Sequence, residues 1–138
     1  MFDMQINGKV ITTNMELLKL MKEGINPIQY IQNEEDLELV CYTICYVENP
    51  FDPFWYDEAA LLLKAIVCYL LDNKDEIKTL ERCKEIVVEG LNSKETLNEM
   101  FENNDKCQKY YKYINSAQGK TYRSILEVLI ERLGEFVK

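Results

Sequence analysis

Histidine is missing from this 138-residue chain, glycine and proline number only 5 and 3, and 24 Asp and Glu outweigh 16 Lys and Arg. Each shortage excludes something. Without histidine the chain lacks the commonest general base and the commonest metal ligand. A Ser–His or Cys–His nucleophilic site cannot be assembled from its own residues. So few glycines and prolines leave little punctuation, which favours long helices over many short strands. A net charge of −8 works against broad contact with DNA or RNA, where Lys and Arg on phosphate supply most of the affinity. The same charge suits a basic protein partner, by steering more than by tight binding. The N-terminus, MFDMQINGKV, is polar and carries no apolar signal region. The five cysteines, Cys41, Cys45, Cys68, Cys83 and Cys107, are an odd count without framework spacing, so they read as reduced thiols of a cytosolic protein. The longest apolar run, Ala59 to Leu71, is interrupted by Lys64 and falls short of the roughly 20 residues of a membrane span.

What is present is an ordinary globular composition, 47% apolar and 29% charged, enough for one domain with a real core. The organising segment is DPFWYDEAALLLKAIVCYLL, Asp52 to Leu71. Asp52 is a capping residue and Pro53 suits the first helical position, where its missing N–H has no partner to lose. The helix that follows is apolar nearly all round, so its neighbours must enclose it.

Around it the patterns are helical. Asn7-Gly8, between the alternating apolar residues of Phe2 to Thr13, predicts a small β-hairpin, which is marginal unless it packs on something. Asn14 to Lys22 predicts a short helix ended by Gly24, and Asn26-Pro27 a helical turn through Ile31. Asn33 begins a helix with Leu37, Val40, Cys41, Ile44 and Cys45 on one face and Asn49-Pro50 as its stop. Residues 72 to 78 form a charged linker. Thr79 caps a helix to Glu89, with Gly90 as a left-handed stop. Ser93 caps another carrying Leu97 and Phe101, which Asn103 and Asn104 break. A polar, Tyr-rich helix covers Asp105 to Ser116. Thr121 to Val137 places Tyr122, Ile125, Leu126, Leu129, Leu133, Phe136 and Val137 on one face. The sum is an all-α fold: a bundle of about six or seven helices around a central apolar helix over 53–72, with a small N-terminal hairpin.

Four constellations bear on function. Gly119-Lys120-Thr121 looks like the tail of a phosphate-binding loop, but that loop needs a glycine where Ile114 stands. It reads instead as a C-cap glycine followed by the last helix. Cys41 and Cys45 sit one turn apart on an apolar stripe without two further ligands to complete a metal site. Lys109, Tyr110, Lys112 and Tyr113, with Lys120 and Arg123 beyond, form the only basic-aromatic concentration. They are the candidate partner-binding residues: they could track a nucleic-acid backbone, or they form a half-buried helix with solvated lysines. The charge balance weighs against direct nucleic-acid contact. Phe51, Phe54, Trp55 and Tyr56 make an aromatic knot, either a binding hot spot or, favoured by the area such rings bury, a plug closing one end of the bundle.

Three blocks in order resemble one family: INPIQYI from Ile25, DPFW from Asp52 leading into EAALLLKA, and AQGKTYRSI from Ala117. Together they resemble the all-α insertion domain of type IV secretion coupling proteins, the TraG/TraD-type conjugation ATPases, over most of the chain from Ile25 to Phe136. Residues 1–24 depart from the pattern and read as a divergent opening segment before an all-α domain over 25–138. The resemblance implies a non-catalytic domain inserted in a membrane-anchored, hexameric ATPase, on the cytosolic side away from the membrane. It implies docking of the relaxase or its accessory proteins for DNA transfer. The nucleotide-binding motifs belong to the flanking ATPase domain, so no cofactor and no membrane contact are expected of this domain, which should be a monomer when isolated. The alternative is a structural spacer that shapes the ATPase ring and binds nothing. An exposed apolar or single-sign patch separates the two.

Overall fold

A computed structural model describes residues 3–137. Met1, Phe2 and Lys138 lie outside it, so the expected hairpin is seen from Asp3 onward. Met4–Ile6 and Lys9–Ile11 pair antiparallel, with Met4 opposite Ile11 and Ile6 opposite Lys9. Asn7 and Gly8 take φ of 51° and 77°, the left-handed pair that a tight hairpin turn requires. Met4, Ile6 and Ile11 are buried, and the Tyr30 hydroxyl donates to Asn7 Oδ1 at 2.9 Å. The hairpin is therefore held by the core, which removes its intrinsic weakness.

Among the described residues seven α-helices follow: α1 Asn14–Lys22, α2 Glu34–Cys45, α3 Pro53–Asp72, α4 Leu80–Asn92, α5 Lys94–Phe101, α6 Asp105–Ser116 and α7 Gly119–Gly134. A 3₁₀ turn over Pro27–Tyr30 joins α1 to α2. Most starts are chemically specified. Thr13 Oγ1 accepts from the Glu16 N–H while Glu16 accepts back from Thr12 and Thr13, a reciprocal box. Asn33, Asp52, Thr79 and Asn104 cap α2, α3, α4 and α6 through their side-chain oxygens.

The central helix is α3, packed against α6, α7 and α2 and touching α4 and α5 as well. Leu62, Leu63, Ala65, Ile66, Val67 and Leu70 are fully buried on it. Each of the larger ones contributes roughly 1.5–3 kcal/mol relative to an exposed state. One contiguous core results, and Leu17 and Met21 of α1 belong to it. Residues 4–24 thus share the hydrophobic centre of the rest.

Three local expectations need correction. Gly90 does not end its helix in a left-handed turn. It is buried inside α4, and a Cβ there would come within 2.5–2.6 Å of the Leu97 side chain. The glycine is required by close approach of α5, and the Tyr122 hydroxyl donates to its buried carbonyl oxygen at 2.8 Å. Ser93 makes no side-chain cap to α5. Gly119 opens α7 at φ 56° instead of closing α6, which ends at Ser116.

Candidate interaction surface

The basic-aromatic segment lies on α6 and divides between inside and outside. Positions 107, 110, 111 and 114 face the core, as a 3.6-residue period demands. Tyr111 is fully buried, stacks edge-on against Phe101 at 4.9 Å and donates to Asn98 Oδ1 at 2.6 Å. Tyr110 is buried too, and its hydroxyl reaches Glu34 Oε1 at 2.8 Å, where Lys109 Nζ arrives at 2.6 Å. One carboxylate oxygen at the start of α2 thus latches α6. Those two hydrogen bonds, Lys109 first, hold the Glu34 carboxyl below its ordinary value. Burial, then Glu34, pushes the Tyr110 phenol up. A cleft of about 270 Å³ lies under this latch, with Leu37, Cys68 and Leu71 in its walls.

The other candidates are placed differently. Tyr113 is exposed with Lys112 Nζ 5.2 Å above its ring. Lys120 is exposed at the start of α7. Arg123 pairs with Glu127 at 2.8 Å. Of the six, Lys109, Tyr110 and Arg123 are engaged within the molecule, and Lys112, Tyr113 and Lys120 face solvent. The expected basic patch is therefore broken up by acidic partners.

The cysteines are core residues. All five are buried and free. Burial pushes the thiols of Cys45, Cys83 and Cys107 up to about 12 and that of Cys68 to about 11, and raises Cys41 well above its ordinary value. Cys107 donates to the Ala65 carbonyl oxygen at 3.3 Å. A buried thiol held protonated in this way is a poor nucleophile. Among the described residues no three His, Cys, Asp or Glu side chains gather as a metal site, and no helix is long and apolar enough to cross a membrane.

The aromatic knot is not the plug that its ring area suggested. Phe51 is fully exposed and Phe54 is 43% exposed. Trp55 is half-buried against the core and meets Phe54 edge-on at 4.9 Å. The reason is the connection itself. Asn49, at φ 52°, reverses the chain after α2, and the Pro50–Asp52 segment carries Phe51 out before Pro53 starts α3. Tyr42 and Tyr46, unremarked in the sequence, complete the corner. They are 47% and 39% exposed, four residues apart with Tyr46 just past the end of α2, and their ring centroids lie 5.5 Å from each other. Tyr42, Tyr46 and Tyr56 line a groove of about 190 Å³ with Pro50, Pro53 and Ala60, and Cys45 also lines it. Asp57 is its acidic lining residue.

The charge around this corner has one sign. From Glu23 to Leu63 the chain has no Lys or Arg. Glu38, Glu48, Asp52 and Asp57 are exposed there. Two signals in the sequence point to this corner: the void of positive charge, and the i, i+4 pair Tyr42 and Tyr46, off the apolar stripe of α2.

No protein-family model, curated protein or solved structure matches this chain.

Proposed function

We propose that this chain is a recognition module that docks a protein substrate and performs no chemistry itself. The observation that carries this is the α2–α3 corner, where exposed aromatic rings stand among carboxylates without cations. Contiguous exposed apolar surface rimmed by polar groups marks an interaction site. A spacer that binds nothing has no use for it. The resemblance to the insertion domain of conjugation coupling proteins supplies the partner class: a relaxase or an accessory protein of its DNA complex, engaged on the cytosolic side by a membrane-anchored hexameric parent. The acidic balance complements a basic partner and repels nucleic acid.

The test is co-sedimentation of the purified chain with the cognate relaxase in rising salt. Binding should be strongest at low salt and weaken once the Debye length shortens to about 8 Å near 0.15 M. Failure to bind at low salt overturns the recognition reading in favour of the spacer. Binding indifferent to salt removes the electrostatic part of it.

A further inference from the structure

We infer that the groove between α2 and α3 takes an arginine-bearing segment of the partner protein, the guanidinium lying against the tyrosine rings and meeting the Asp57 carboxylate. This rests on the recognition reading above and names the place and the chemistry of contact.

Three observations carry it. The groove is lined by aromatic rings and prolines: Tyr42, Tyr46, Tyr56, Pro50 and Pro53. A flat, weakly hydrated guanidinium stacks on aromatic rings, where a compact ammonium is held less well. Next, the carboxylates of this stretch lack cationic partners. Among the described residues no salt bridge reaches Glu38, Glu48, Asp52, Asp57 or Glu58. Elsewhere Glu34, Glu76 and Glu127 are each paired with a cation, while among the described residues Glu23, Glu35, Glu81 and Glu95 are not, so it is the coincidence of unpaired acid with aromatic rings that marks this corner. Burial and then Asp57 raise the Glu58 carboxyl, consistent with acid left unneutralised. Finally, the nearby cations are committed elsewhere. Arg132 donates to the Ile44 carbonyl oxygen at 3.0 Å and pairs with Glu135. Lys64 sits over the Tyr110 ring at 5.6 Å. Neither lines the groove. A groove lined by aromatic rings and Asp57, with no cation of its own, complements an arginine supplied by another molecule.

Trp55, the single tryptophan, is next to Tyr56 and reports on this corner. The experiment titrates the full chain with a short peptide of alternating Arg and Leu, and with Lys–Leu and Glu–Leu peptides of equal length. It follows Trp55 emission and the backbone amide resonances of residues 42–60. The Arg peptide should give a saturable change, the Lys peptide a weaker one, and the Glu peptide none. Tyr42→Ala with Tyr46→Ala should weaken the Arg peptide roughly tenfold or more, with Tm within about 3 °C because both side chains are largely outside the core. If the double variant unfolds, the exposed Asp57→Lys change carries the same test. No saturable change with the Arg peptide overturns the inference, as does unaltered affinity in these variants. So does a dimer of the chain alone that the double variant dissolves, because a second copy then fills the groove. The relaxase experiment separates the two levels. A relaxase that binds parent and double variant equally sinks the groove and leaves the recognition reading standing. A relaxase that binds neither, while the peptide still binds, sinks the recognition reading alone.

Discussion

The aromatic segments Phe51–Tyr56 and Tyr110–Tyr113 resemble each other in composition and differ in where the bundle puts them. On α6 two of three tyrosines point inward, and the lysine beside them shares a carboxylate oxygen with Tyr110. At the α2–α3 corner Phe51 and Phe54 stand in solvent, and the acids around them have no counter-charge. What separates internal wiring from an outward surface is whether the fold supplies a partner. Glu34 finds Lys109 75 residues away in sequence. No cation among the described residues pairs with Asp57.

Substitution can break that contrast at its strongest point first. Tyr111→Ala removes a buried ring and its hydrogen bond to Asn98, and should cost about 3–5 kcal/mol in chemical denaturation. A loss under about 1 kcal/mol would mean that α6 is not wired into the core as described.

A middle-sized effect belongs to Arg82, which clamps the connection before α4 through Glu76 at 2.8 Å and also reaches Glu85 and Glu89. Arg82→Ala should cost about 1–2 kcal/mol at neutral pH. Arg82 holds the Glu76 carboxyl below its ordinary 4.5. Its stabilising share is therefore complete above pH 4.5 and is lost as the pH falls through the lowered value. The gap between parent and variant should close in acid; a gap constant from pH 7 to pH 3 would contradict the pairing. Glu58 has the opposite sign. Its raised carboxyl binds the proton more tightly when folded, so its contribution is present in acid and fades as pH rises past that point. Side-chain NMR titration should place Glu76 below 4.5 and Glu58 above it.

The smallest stability effect sharpens the contrast from the other side. Phe51→Ser, at a fully exposed ring, should change unfolding free energy by no more than about 0.5 kcal/mol. A much larger loss would restore the idea of a core plug.

Much of this was legible in local sequence. Asn7-Gly8 forms its turn, Asn33, Asp52 and Thr79 cap their helices, and the apolar stripes of α2 and α7 are buried. These features depend on neighbours within about four residues, the range of caps, turns and helix period. Gly90 was misread because its reason lies across a helix contact, in Leu97. The candidate residues divide between inside and outside for the same cause. Lys109 and Tyr110 look like free binding groups until α2 brings Glu34 beside them. Tyr42 and Tyr46 look unremarkable until the corner gathers them with Tyr56.

Patterns of capping, helical period and charge content alone establish an all-α bundle built on an apolar central helix, short of positive charge. Which rings are hidden and which carboxylates stay unpaired is settled by packing, because burial and ion pairing require groups that the chain brings together only on folding. The presented face is thus a property of the assembled bundle, and no single segment carries it.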